Sequence, residues 1–277
     1  MCGFKRDTSE SVKAEDIIAQ IEHAVNNAEK FEMVKIFTSG SFFDSREVPE
    51  WVRKQIYGIF SGNIKRLTVE SRPEFIRDEI LNEIQDDFEV EVAFGLESAS
   101  DTVRDININK GFSFSDYIRA VETVRNYGFR VKTYLLLKPP LLTEGKALKD
   151  VIESARIIKD VTDTISLNIC NVQKDTVLEK LWYDGLYRPP WLWTAIEALI
   201  TISNMDIHVI SDPVGGGKRR GPHNCFKCDG EVIKAIREFS LLQDINILED
   251  VRNTCHCYFL WEKVLDLEDI AGVPLVE

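Results

Sequence analysis

The sequence predicts an α/β protein of alternating strands and helices, and three observations carry that prediction. Short apolar runs recur near Val34, Arg66, Glu91, Arg130, Ile165 and Ile207. Stretches with helical spacing of apolar residues separate them. Turns rich in Gly, Ser or Pro close several of the runs. This rhythm requires parallel strands joined by right-handed crossovers. Two closures satisfy it: a full or partial (β/α) barrel, or an open doubly wound sheet. In both, functional residues collect at the C-terminal ends of the strands.

The elements follow in order. Ala14, Ile17, Ile18, Ile21, Ala24, Val25 and Ala28 form one helical stripe in AEDIIAQIEHAVNNA. VKIFTSGSFFD is a short strand ending in a Gly/Ser turn. VPEWVRKQIYGIF reads as helix, with Pro49 near its first turn. IKRLTVESR is a strand, PEFIRDEILNEIQDDF a helix opened by Pro73, and EVEVAFGLES a strand. Phe114, Tyr117, Ile118, Val121 and Val124 share a helical face, and Gly128 stands where a C-terminal glycine cap belongs. FRVKTYLLLKPP is a strand stopped by Pro139 and Pro140. A helix (EGKALKDVIESARIIKDV), a strand (TDTISLNICNV), a helix (PPWLWTAIEALITISNM) and a strand (DIHVIS) complete the pattern. Residues 211–222, SDPVGGGKRRGP, break the rhythm and read as a linker or flexible loop. Residues 223–277 read as a short helical, cysteine-rich tail. The expected division is therefore 1–210 and 211–277.

A chain of 277 residues buries a substantial core without disulfides. No apolar run is long enough to span a bilayer, and no signal peptide pattern opens the chain, so a cytoplasmic protein is expected. The net charge of −12 disfavours unaided nucleic-acid binding, with Lys218, Arg219 and Arg220 as a local exception. The cysteines stand at 2, 170, 225, 228, 255 and 257. Close pairs in such a chain point to metal rather than disulfides.

Several constellations could carry chemistry. In TSGSFFD, Ser39, Gly40 and Ser41 end a strand, and glycine there lets backbone approach a ligand. The same turn also serves as a plain connection. Glu70, Ser71 and Arg72 end the next strand, as ligand contacts or as a surface ion pair. Gly95 and Glu97 end the third, with Lys110 and Gly111 beyond; capping and solvated charge are the alternatives. Lys138 follows an apolar strand and precedes the rigid Pro pair. Cys225-x2-Cys228 and Cys255-x-Cys257 can complete a tetrahedral S4 shell, with zinc the first expectation and an iron–sulfur cluster the second. His223 and His256 are alternative ligands. Cys170, inside a strand, reads as a small core hydrophobe. Trp182, Tyr183, Tyr187, Trp191 and Trp193 read as core and loop packing, with a base-stacking platform as the other possibility.

The ordered set CGF, TSGSFFD, ESRPEF, GLESASD, INKGF, LLLKPP and HNCFKCD resembles the radical SAM superfamily. Within it the chain is similar to the Elp3/MiaB-like branch and to the radical SAM subunits of archaeosine synthases, tRNA-modifying lyases. The resemblance covers essentially the whole chain. It implies a partial (β/α)6 barrel, here lacking its first strand, with a Cys-rich C-terminal extension. It also implies a [4Fe–4S] cluster and S-adenosylmethionine, whose joint chemistry yields a 5′-deoxyadenosyl radical. Cys2, followed by Gly3 and Phe4, matches the family's third cluster cysteine. The other two lie upstream in the family pattern, so an N-terminal truncation or a misassigned start is expected, and the chain as written should not assemble a catalytic cluster. Ser39, Gly40 and Ser41 match the turn that binds the methionyl amine. Glu70 and Arg72 match polar rim positions, Glu97 the strand end near the ribose and methionyl group, and Lys110 a cation for the methionyl carboxylate. The implied substrate is a lysine-adducted 7-deazaguanine in tRNA, presented with a partner subunit resembling a lysine-transferring tRNA-guanine transglycosylase. Another radical SAM tRNA modification and a cluster-free, zinc-stabilised scaffold remain open.

Overall fold

The computed structural model describes residues 3, 12–29, 31–38, 40–84 and 87–275. Six strands alternate with helices: β1 (Met33–Ile36), β2 (Arg66–Glu70), β3 (Glu89–Glu97), β4 (Arg130–Leu137), β5 (Thr164–Ile169) and β6 (His208–Ile210). They form one sheet in the order β1-β2-β3-β4-β5-β6. The pairs β1–β2, β2–β3 and β5–β6 run parallel. A doubly wound sheet reverses its strand order at a switch point. The unbroken order here has no such reversal, and it selects the barrel-type winding of the two expected closures. Among the described residues, no helix is long and apolar enough to cross a membrane.

The described residues fall into two compact units, one within residues 4–95 and 112–132, the other within residues 1–3, 96–111 and 133–277. The first holds α1 (Ala14–Asn27), α2 (Glu50–Phe60), α3 (Asp78–Leu81) and α4 (Phe114–Asn126). On α2, Val52, Ile56, Tyr57 and Phe60 are buried, as the period predicts. Arg53 is buried with them, its guanidinium forked onto Glu83 at 2.6 and 2.8 Å and onto the Val48 carbonyl at 2.6 Å. On α4, Tyr117, Ala120, Val121 and Val124 turn inward, and Gly128 takes the left-handed conformation of a cap. The stripe on α1 is thinner than its spacing suggests, with Ile18 alone fully buried.

One expected helix differs. Residues 73–88 form a 3-10 turn at Pro73–Phe75 and the short α3, separated by extended backbone at Ile76 and Arg77. Leu81 is the one buried residue of α3. Ile76, Ile80, Leu81, Ile84 and Phe88 have helical spacing, but the extended backbone at Ile76 and Arg77 interrupts the helix they would form.

The second unit holds α5 (Glu144–Ile158), α6 (Val177–Tyr183), α7 (Leu192–Ser203), α8 (Asp229–Leu242), α9 (Asn246–Val251) and α10 (Cys257–Ala271). Helix α7 is apolar nearly all round and its Trp191–Trp193 entry is fully buried, which confirms the core role of those tryptophans. A buried charge network joins the end of β4 to α5 and α10. Lys138 Nζ lies 2.5 Å from Glu144 Oε2 and 3.8 Å from Glu268 Oε2. Glu144 Oε1 accepts from the Trp191 amide at 2.8 Å and from the Thr194 hydroxyl. Glu268 Oε2 accepts from the Glu144 amide at 2.5 Å. Burial raises the Glu268 carboxyl above its ordinary range, and Lys138 opposes that rise.

Removing one partner of such a network leaves an uncompensated buried charge. Lys138→Met is therefore expected to cost about 3–5 kcal/mol. Glu268→Gln, which leaves the Lys138–Glu144 pair intact, should cost under about 1 kcal/mol. Urea unfolding midpoints of the two variants check the contrast.

Candidate functional site

The expected residues are best built from the strand ends. After β1 the chain turns through Gly40 and Ser41; Ser39, between Thr38 and Gly40, lies outside the described residues. Ser41 is fully buried. Its amide donates to Glu47 Oε2 at 2.8 Å, and its hydroxyl accepts from the Arg72 amide at 3.0 Å. A side chain on Gly40 would collide with the Glu47 carboxylate, so glycine keeps that acid on the Ser41 amide. The Thr38 hydroxyl is buried and, among the described residues, has no hydrogen-bond partner. Glu47 and Thr38 are participants that the motif reading did not single out. For Glu47 the only sequence signal is an acid six residues after Ser41.

At the end of β2, the Glu70 carbonyl accepts from the Phe42 amide at 2.8 Å, which ties the two strand ends together. Arg72 Nε donates to Glu74 Oε1 at 2.6 Å, and its guanidinium lies 5.5 Å from the centre of the Phe112 ring. Arg72 is thus already engaged by Glu74 and Phe112.

The ends of β3 and β4 share a backbone peculiarity. Glu97, last in β3, has φ +70°, and Lys138, just after β4, has φ +59°. Left-handed backbone is unfavourable for such side chains and gathers where structure over-determines it. Glu97 is held by Lys110, whose Nζ lies 2.8 Å from Glu97 Oε1 in a half-buried pair. The structure therefore brings together two residues that the sequence placed in one constellation.

Beyond β5, Cys170 is buried, packs with Val172, Leu178 and Tyr187, and its thiol is pushed up to about 11 by burial. It is a core thiol, as its strand position suggested. The next loop meets the N-terminal motif. The Gly3 amide donates to Gln173 Oε1, and a Cβ on Gly3 would lie 2.8 Å from that oxygen. Cys2 itself lies outside the described residues.

The tail cysteines converge. The sulfurs of Cys225, Cys228, Cys255 and Cys257 all lie within 4.8 Å of one another. Individual separations are 3.8 Å for Cys225–Cys228, 3.7 Å for Cys225–Cys255 and 3.6 Å for Cys228–Cys257. A tetrahedral ion with metal–sulfur bonds of about 2.3 Å has sulfur–sulfur edges of about 3.8 Å. A four-iron cube between the thiolates would hold them farther apart. The set therefore fits one ion rather than a cluster. Neither His223 nor His256 belongs to it: the His223 Nδ1 lies 2.7 Å from the Gly221 carbonyl, and the His256 ring faces Phe259. Outer contacts hold the sulfurs in place. Trp193 Nε1 donates to Cys257 Sγ at 3.2 Å and Asn224 Nδ2 to Cys228 Sγ at 3.6 Å. Buried Arg188 donates to the His223 and Asn224 carbonyls at 2.9 and 3.1 Å. Trp193, Asn224 and Arg188 carried no local signal of this role.

The Glu97–Lys110 pair yields a test. A partly exposed ion pair contributes about 0–1 kcal/mol, and a left-handed non-glycine residue costs about 1–2 kcal/mol. Asn tolerates that conformation. Glu97→Asn should thus lose the ion pair while keeping thermal stability within about 1 kcal/mol of the parent, read by circular-dichroism melting.

Comparison with known proteins places these features. Residues 1–151 match the Radical SAM superfamily. The archaeosine synthase subunit beta of Methanosarcina acetivorans is 44% identical over 288 residues, covering 100% of this chain and 83% of that protein. The protein of the same name from Thermococcus kodakarensis is 41% identical over 263 residues, 91% of this chain and 81% of its own. Among solved structures, an N-terminally deleted Elp3 from Methanocaldococcus infernus matches with a TM-score of 0.56 at 18% identity, over 90% of this chain and 58% of that one. A radical SAM methyltransferase from Sphaerobacter thermophilus matches at 0.51 and 15%, over 76% and 57%. At those identities the structural likeness is one of fold. The superfamily match spans more than half of the chain and the sequence likeness runs its full length, so the chain belongs to the radical SAM superfamily.

Proposed function

We propose that the chain is the radical SAM subunit of a tRNA-modifying C–N lyase, which converts a lysine-adducted 7-deazaguanine in tRNA to archaeosine. The observation that carries this reading is the 44% identity along the whole chain to a protein named archaeosine synthase subunit beta. That name describes a subunit, so a partner is inferred: a tRNA-binding subunit resembling the lysine-transferring transglycosylases. A partner that grips the tRNA also accounts for catalysis on a polyanion by a chain of net charge −12. A tRNA substrate implies a cytoplasmic setting.

Two features support S-adenosylmethionine as cosubstrate. The buried Thr38 hydroxyl offers unused hydrogen-bonding capacity beside the Gly40–Ser41 turn. The Glu97–Lys110 pair offers opposed charges suited to a zwitterion. In this reading Ser39, Gly40 and Ser41 take the methionyl amine, Lys110 the methionyl carboxylate, and Glu97 the hydroxyl-bearing end. Glu70 and Arg72 line the polar rim. The cluster would be held in part by Cys2. Among the described residues the cysteines are Cys170, a core thiol, and the four of the tail, which form a closed set. When bound, the cluster and cosubstrate supply a 5′-deoxyadenosyl radical that takes a hydrogen atom from the adduct. The chain's own residues bind and orient the cosubstrate, and the glycine at position 3 lets the segment after Cys2 lie against Gln173.

For the tail we propose zinc. Four protein thiolates leave no open position, so the ion is structural rather than catalytic.

Two measurements test these assignments. A polypeptide carrying Cys2 and two further cluster thiolates, reconstituted anaerobically with iron and sulfide, should produce 5′-deoxyadenosine. With adducted tRNA and the partner subunit it should also give archaeosine by nucleoside mass spectrometry. A loaded cluster that yields no 5′-deoxyadenosine overturns the enzyme reading. Separately, Trp193→Phe removes the N–H that meets Cys257. Loss of such an outer contact lowers metal affinity about 10–100-fold, which competition with a chromophoric chelator will read.

A further inference from the structure

The Gly-rich segment and the CxxC turn form one folded knob. The Gly217 amide donates to the Pro222 carbonyl and the Gly221 amide to the Lys218 carbonyl, both at 2.9 Å. Gly221 passes so close to Gly215 that no side chain fits. Gly216 and Gly217 lie against Ile233 and Asp229 at the start of α8. His223 follows, bonded to Gly221, and its buried ring stacks on Phe226 with centres 4.6 Å apart and planes 13° apart. Residues 211–222, expected as a linker or flexible loop, are therefore packed onto the cysteine knuckle.

The knob presents an unusual surface. Lys218, Arg219, Phe226 and Lys227 are exposed, and Phe226 keeps 49% of its surface in water. Phe226 also has φ +64°. A bulky residue in the left-handed region is a costly choice for a position with so little burial in return. Among the described residues, Lys218, Arg219 and Lys227 make no ion pair, whereas neighbouring Arg220 is tied inward to Glu179 at 2.5 Å and lies over Trp182. Three unpaired cations around a pre-oriented ring, on a chain of net charge −12, form a local departure from the rest of the surface. Cations meet phosphates, and an exposed aromatic face meets an unstacked base.

We infer that this knob contacts RNA: Lys218, Arg219 and Lys227 take backbone phosphates, and Phe226 stacks on an unpaired base. The inference rests on the reading that tRNA is the substrate, and it names the surface that would hold it. The placement is favourable. The Arg220 carbonyl accepts from the Val172 amide at 2.7 Å, and the adjacent Gln173 meets Gly3. RNA on the knob would thus lie beside the loop that contacts Gly3.

The test is fluorescence anisotropy of the full chain, loaded with zinc, against a labelled tRNA transcript over a range of salt. Phe226→Asn suits the left-handed backbone and should weaken binding roughly five- to a hundredfold with little change in salt slope. Lys218→Gln with Arg219→Gln should reduce the salt slope by about two. Lys159→Gln, an exposed change elsewhere, should leave binding unaltered. Zinc content and circular dichroism should match the parent throughout. Variants that bind like the parent, or a parent that binds no tRNA, overturn the inference. So does a loss confined to Phe226→Asn that accompanies loss of zinc. Variants that keep tRNA but lose an acidic protein partner assign the knob to that partner instead. Archaeosine formation is scored separately. Binding lost in the variants while the parent makes no archaeosine keeps the knob and removes the lyase reading. Normal archaeosine formation by the variants does the reverse.

Discussion

A single buried ammonium organises the second unit. Lys138 is 1% exposed and stands in a left-handed conformation at the end of β4. Its compensation comes from two buried carboxylates, Glu144 in direct contact at the start of α5 and Glu268 farther off near the end of α10. A lone buried charge is too costly to persist, so α5 holds the ammonium, and α10 holds the start of α5 through the Glu144 amide. The Tyr187 hydroxyl caps the arrangement by donating to the Lys138 carbonyl at 2.8 Å. The C-terminal helix is therefore an integral support of a strand end rather than a loose appendage.

The same helix begins at Cys257. Through Trp193 and Cys257 the four-sulfur set is joined to α7, and through Thr194 and Trp191 α7 is joined to Glu144. The four-sulfur set and the charge network thus meet at the start of α7, within residues 191–194.

Left-handed backbone recurs at several of these positions. Glu97 and Lys138 are both left-handed and both engaged in ion pairs. Phe226 is left-handed at the tip of the cysteine turn. In each case a neighbouring interaction holds a backbone that the residue would not choose alone, and Glu97 and Phe226 also face a proposed ligand-binding role. Cys170, by contrast, sits in a core cluster with no such geometry.

Much of this was legible in the amino-acid order. Short apolar runs closed by turn residues located all six strands, and the 3.6-residue period most helices, because both patterns are local consequences of burial. Close cysteine pairs signalled an S4 centre, because ligand type and spacing are themselves sequence properties. The failures were equally physical. Residues 73–88 carry helix formers and apolar residues at helical spacing, and only the tertiary structure revealed the break at Ile76 and Arg77. Winding of the sheet was undetermined, because a βα rhythm is common to barrels and doubly wound folds until strand order is known. The choice of a single ion over a cluster needed sulfur separations, and the exclusion of His223 needed its hydrogen bond to Gly221. Lys138 stood out at its strand end, but Glu144 and Glu268 are ordinary charges when read in line. Only the tertiary structure, by removing all three from water at once, made them depend on one another.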